Sequence, residues 1–107
     1  MRITPEQIQK IHEVLGHFFK TTAYRLYLYG SRAKDHLKGG DFDMLILTDA
    51  AGIKIFRDFE LDILVEIKKK PEIGQRKIDL KAMTEEDLKL KPFFKIVSEE
   101  MVELRNF

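Results

Sequence analysis

Asp41 and Asp43 flank a single residue at the start of the apolar run "DFDMLILT". On a β-strand alternate side chains share a face, so the two carboxylates point one way and Phe42 the other. Two residues advance a strand by only ~6.6 Å, so both acids can reach one cation or a close pair of cations. Without a cation the two anions repel, and near a low-dielectric sheet one is pushed towards protonation. A site that keeps both ionised therefore calls for a divalent metal. Oxygen ligands in a chain with no Cys and three His favour Mg²⁺ or Mn²⁺ over Zn²⁺. Asp79 interrupts the alternation of "RKIDLKAM", in a strand context where Asp is disfavoured. If that strand lies beside the first, Asp79 joins as a third carboxylate; the alternative is an ion pair with Lys77 or Lys81, which share its face. Asp49, Asp58 and Asp62 read as loop and solvated helix acids.

The stretch before the acids is "YLYGSRAKDHLKGG". Gly30 ends an apolar run and Ser31 begins a short helical segment, "SRAKDHL". A helix N-terminus reached through glycine exposes backbone N–H groups to an anion, with no Cβ to block its approach. The Ser31 hydroxyl adds a donor, Lys34 adds charge, and Arg32 offers a forked contact to phosphate. Taken alone, Gly-Ser reads equally as a capped turn with solvated basic residues, and an isolated Asp-x-Asp as a solvated strand edge. It is their proximity that is specific, because Gly39 and Gly40 bend the chain just before Asp41. The loop suits the phosphates of a nucleotide, and the acids suit metals bridging them. The spacing is not that of a Walker A loop. His12, His17 and His36 receive no role.

These residues need a sheet to hold them. "TPEQIQKIHEVLGHFFK" predicts a helix, with Thr4 as cap, Pro5 in the first turn and Ile8, Ile11, Leu15, Phe18 and Phe19 as its buried stripe. "YRLYLYG" and "DFDMLILT" read as strands. "IKIFRDFELDILVEIKKK" reads as a second long helix, with Ile53, Phe56, Phe59 or Glu60, Ile63, Leu64 and Ile67 inward, and Pro71 as its stop. "RKIDLKAM" is a third strand by alternation. In "MTEEDLKL", Thr84 and Glu85 to Asp87 form a short capped turn. "PFFKIVSEEMVEL" reads as a closing helix with Phe93, Phe94, Val97, Met101 and Leu104 on one side. The expected order is α-β-α-β-α-β-α, an α+β (α/β-like) fold with a small mixed sheet and helices packed on it. The segment between the second and third strands is long enough for a helical crossover.

Bulk properties narrow the class. A chain of 107 residues reads as one domain, residues 1–107. Nineteen basic residues against 18 acidic argue against binding nucleic acid or membrane by bulk charge. The amphipathic N-terminal segment does not read as a signal peptide, and no run of about 18 uncharged apolar residues is present. The expectation is a soluble, cytoplasmic protein without disulfides.

The arrangement "YGSRAK…DFDMLIL…KIDL" resembles the nucleotidyltransferase superfamily typified by DNA polymerase β, and its small size is similar to the minimal nucleotidyltransferase (MNT) branch. Members of that branch are often paired with a HEPN-domain partner as toxin and antitoxin. The resemblance implies that Gly30 and Ser31 bind the triphosphate of an NTP, ATP being the expected one, with Arg32 and Lys34 as partners for phosphate charge. It implies that Asp41 and Asp43 bind two divalent ions, and that Asp79 positions the attacking hydroxyl and one metal. The reaction it implies is in-line transfer of an NMP to a protein or RNA acceptor with release of pyrophosphate, two metals ~3.5–4 Å apart stabilising the attacking and leaving oxygens. The chain departs from the family pattern in two ways. Nine residues, Arg32 to Gly40, separate Ser31 from Asp41, one fewer than the common spacing, and Asp35 stands where Gly is frequent. Two other functions fit the same residues: an antitoxin that neutralises its partner by contact alone, with Phe93, Phe94 and Phe107 as candidate partner-facing aromatics, and a small metal-dependent phosphohydrolase. Self-association is left open.

Overall fold

Why the first segment is helical is visible at its start. Thr4 accepts a hydrogen bond from the Gln7 backbone N–H (3.2 Å), while the Thr4 N–H donates to Gln7 Oε1 (2.9 Å). This reciprocal box satisfies donors that the helix itself leaves unpaired. In the computed structural model, which describes residues 3–29, 42–74, 76–90 and 100–105, helix α1 runs Pro5–Phe19. Its apolar stripe of Ile8, Ile11, Val14, Leu15 and Phe19 is buried. Gln7 is buried as well, and its Nε2 donates to the Glu72 carbonyl (2.9 Å), tying α1 to the turn that follows the second helix.

Strands β1 (Tyr24–Tyr29) and β2 (Phe42–Thr48) pair antiparallel. Helix α2 (Ala50–Lys69) then crosses over to β3 (Ile78–Met83), which lies parallel to β2. A six-residue helix, α3 (Glu85–Leu90), follows, and β4 (Val102–Glu103) pairs antiparallel with the free edge of β1. The sheet order is β3-β2-β1-β4. This mixed sheet with helices packed on it is the α+β class expected.

Helix α2 begins three residues before its predicted start. Asp49, expected in a loop, is its cap: the carboxylate accepts from the Gly52 N–H at 2.9 Å. Gly52 itself is dictated by packing, since a Cβ there would lie 2.7 Å from Thr48 Cβ and Cγ2. Thr84 likewise caps α3, accepting from the Asp87 N–H (3.1 Å), so the predicted turn is one short helix. Phe59, one of two candidates for the inward stripe of α2, lies on the rim instead, 42% exposed, with its ring 5.6 Å from that of Phe18.

The sheet's two faces differ. Leu26, Leu28, Phe42, Met44, Ile46, Ile78 and Leu80 form one main core with the inner sides of α1 and α2. The opposite face carries a smaller cluster of Tyr29, Leu45 and Met83, with Tyr27, Leu88 and Met101 packed against it.

One element is corrected. The last helix was expected to run through Leu104, but Val102–Glu103 is a strand, and the Leu104 N–H donates to the Leu26 carbonyl at 2.7 Å. The edge of β1 otherwise presents unpaired backbone groups, and satisfying them outweighs the helical spacing of the apolar residues. His12 secures this junction. Its Nε2–H donates to the Leu104 carbonyl (2.7 Å), and its Nδ1 accepts from the Tyr24 hydroxyl (2.8 Å). A carbonyl can only accept, which sets the tautomer. Among the described residues no helix is long and apolar enough to cross a membrane.

Candidate active site

Parallel pairing of β2 with β3 sets Phe42 opposite Ile78 and Asp43 opposite Asp79. Register partners on adjacent strands share a face, and the strands lie ~4.8 Å apart. Antiparallel pairing of β1 with β2 sets Tyr29 opposite Asp43. Tyr29, Asp43 and Asp79 thus stand in a row across three strands, on the face away from α1 and α2. The opposite orientation of Phe42 follows from alternation, and its ring is fully buried in the main core. The Arg76 guanidinium lies over that ring, 5.1 Å from its centroid, beside the same strand ends.

The aspartates occupy the second positions of β2 and β3, where the chain enters each strand. Behind them the face is apolar, with Leu45 and Met83 buried and Tyr29 only 6% exposed. Burial pushes the Tyr29 phenol above its usual range. Asp79 is half-exposed and already holds a cation. Lys81, two residues along the same strand, donates from Nζ to both carboxylate oxygens, at 2.9 and 3.1 Å. The Tyr29 hydroxyl lies near enough to that ammonium to help hold its proton. The ion pair with Lys81 named above as the alternative for Asp79 is therefore formed, in the same row that sets Asp79 beside Asp43. The lysine proton is held more tightly than usual, first of all by the bond to Asp79.

Of the other predicted site residues, Gly30, Ser31, Arg32, Lys34 and Asp41 lie outside the described residues, as do the short helix over 31–37 and Phe93, Phe94, Val97 and Phe107. Among the described residues no group of three or more His, Cys, Asp or Glu is gathered for a metal ion. The donors present nonetheless fit a hard divalent cation. Asp43 and Asp79 offer carboxylate oxygens, the donor class such an ion takes, and both oxygens of Asp79 now hold the Lys81 ammonium. Sequence reasoning weighed Lys81 only as a partner of Asp79 and passed over Tyr29. The available signal was alternation: Lys81 shares a face with Asp79, and Tyr29 is the last residue of its strand, next to Gly30 in sequence.

One cavity lies elsewhere: of about 620 Å³, it is lined by Arg25, Thr48, Asp49 and Glu85 among others, at the opposite ends of β2 and β3.

Comparison with curated proteins gives no match. The family model of the nucleotidyltransferase domain matches residues 8–104. That span runs from the first turns of α1 to the residue after β4 and includes both register-paired aspartates. Domains of this family transfer a nucleotidyl group, and in general do so with an NTP substrate and divalent metal ions. With a mixed sheet of the expected class under nearly its whole length, this chain belongs to the nucleotidyltransferase domain family.

Proposed function

We propose that the protein is a single minimal nucleotidyltransferase domain, residues 1–107, that transfers an NMP from an NTP, with ATP the nucleotide of choice, to a protein or RNA acceptor. The observation that carries this reading is the register pairing of Asp43 with Asp79, two carboxylates from different strands on one face. Asp41, two residues before Asp43, is the third acid. In this reading the three acids hold Mg²⁺ or Mn²⁺, two ions in all, whose chemistry is to neutralise the developing charge on the attacking and leaving oxygens. Gly30 and Ser31 receive the triphosphate through backbone N–H groups and a hydroxyl, with Arg32 and Lys34 matching its charge. Asp79 orients the acceptor hydroxyl, which attacks the α-phosphorus while the bond to pyrophosphate breaks. The apolar cluster of Tyr29, Leu45 and Met83 lies on the same face as these carboxylates.

The family resemblance further supports a HEPN-domain protein as partner, with this chain as the antitoxin in the cytoplasm. Transfer of label from α-labelled ATP to that partner or to RNA, in Mg²⁺ or Mn²⁺, tests the enzyme reading. Transfer that Asp43→Asn leaves unchanged rejects it.

A second reading, neutralisation by contact without catalysis, is favoured by the outer side of α2. Leu61 is 74% exposed there, and Val65, one turn on, is 44% exposed. Neutralisation that survives the Asp41/Asp43 double substitution but fails in Leu61→Lys supports contact over catalysis.

A further inference from the structure

We propose that Lys81 is a resident counter-cation of Asp79, exchanged for the divalent ion when the site loads, and so a positioning residue that sets metal affinity. The proposal rests on the reading of Asp43 and Asp79 as metal ligands.

Residues two apart on a strand share a face, so the lysine side chain reaches Asp79 by lying back along β3. Its Nζ takes both oxygens of Asp79, at 2.9 and 3.1 Å, and lies near the Tyr29 hydroxyl. The arrangement answers a problem set by the fold. Parallel register brings Asp79 beside Asp43, and two adjacent anions over the apolar floor of Leu45 and Met83 repel unless a positive charge sits with them. Lys81 supplies such a charge to Asp79 from within the chain.

The same contact conflicts with a metal. A Mg²⁺ or Mn²⁺ ion needs carboxylate lone pairs at ~2.0–2.2 Å. Lone pairs remain on both Asp79 oxygens, but a divalent ion drawn to them comes close to the ammonium, and like charges so close repel. Loading therefore favours a Lys81 that has swung away. Its side chain is free enough to do so: 39% of it is exposed, as is 46% of Asp79's. A half-exposed ion pair is weakly held, so the ammonium fills the site without locking it. Apparent metal affinity is then the intrinsic affinity reduced by the fraction of molecules in which Asp79 is released. Lysine suits this exchange better than arginine, whose planar fork would hold the carboxylate in two parallel bonds.

The test is a Mn²⁺ titration of the full chain without nucleotide, following free Mn²⁺ by electron paramagnetic resonance, with circular dichroism to establish that each variant is folded. Lys81→Met should bind Mn²⁺ about fivefold more tightly than the unsubstituted protein, the scale of one half-exposed ion pair. Lys81→Gln should shift affinity the same way, which keeps the test decisive if the methionine variant does not fold. Lys81→Arg should bind more weakly. A lysine with a purely structural role would leave affinity unchanged or lower it on removal. Mn²⁺ binding that Asp79→Asn weakens, but that neither Lys81→Met nor Lys81→Gln tightens, overturns the exchange while sparing the metal site. Mn²⁺ binding indifferent to Asp79→Asn removes the metal site and the exchange with it.

Discussion

Asp43 and Asp79 are direct register partners on neighbouring parallel strands, although the whole of α2 separates them along the chain. Both face away from the helical layer, beside Tyr29 of β1. An acid pair built in this way depends on the sheet more than on any loop, and its members can be removed singly without touching the main core.

Asp43→Asn and Asp79→Asn should each lower nucleotidyl transfer by about 10²–10³-fold, the scale of losing one preorganised electrostatic contact. Stability should move by no more than ~1 kcal/mol for Asp79→Asn, because its bond to Lys81 is half-exposed. Initial rates with labelled ATP, together with urea denaturation, check both halves.

Stability should fall steeply above pH 10. Burial pushes the Tyr24 phenol up to about 12, and Tyr29 and Lys81 are raised as well. Each group keeps its proton in the folded chain after the unfolded chain has released it. Their stabilising contribution is thus complete below their unfolded values, near 10. It declines as pH rises through the folded values, towards about 12 for Tyr24. Thermal melts between pH 9 and 12 should show this decline, and Tyr24→Phe should make it shallower.

His12→Ala should destabilise the protein by about 2–3 kcal/mol. It removes two hydrogen bonds and leaves the Leu104 carbonyl, beside the β1–β4 junction, without its donor. Urea unfolding of the variant measures this, and an unchanged midpoint would show the junction to be held by other contacts.

Gly52→Ala should destabilise by about 1–3 kcal/mol despite alanine's better helix propensity. The added methyl meets Thr48, whose hydroxyl donates to the Ala23 carbonyl at 2.8 Å and so cannot turn aside freely. A raised melting temperature in this variant would contradict the packing described.

Much of the scaffold is legible in local chemistry. Thr4, Pro5 and Gln7 mark the start of α1; the apolar spacing of Ile8, Ile11, Leu15 and Phe19 marks its inner side; and the alternation about Asp79 marks β3. These signals act over a few residues, which is the range that caps and periodicity span. The end of the chain was misread for the same reason. Met101 and Leu104 fit a helical stripe, and nothing nearby in sequence reveals that Val102 and Glu103 meet the open edge of β1. Phe59 was ambiguous because spacing indicates which side of a helix is apolar, not where the neighbouring helix stops covering it.

The identity of the candidate acids and of the glycines before them belongs to the chain as written, since carboxylates two apart on a strand share a face wherever that strand goes. Bringing Asp79 to Asp43, and Lys81 onto Asp79, belongs to the folded sheet. Parallel register is fixed by burying Phe42, Met44, Ile46, Ile78 and Leu80 against α1 and α2, because a slip of one residue in either strand would turn that strand's apolar residues outward. That energy is collective and long-range, so no local stretch encodes it.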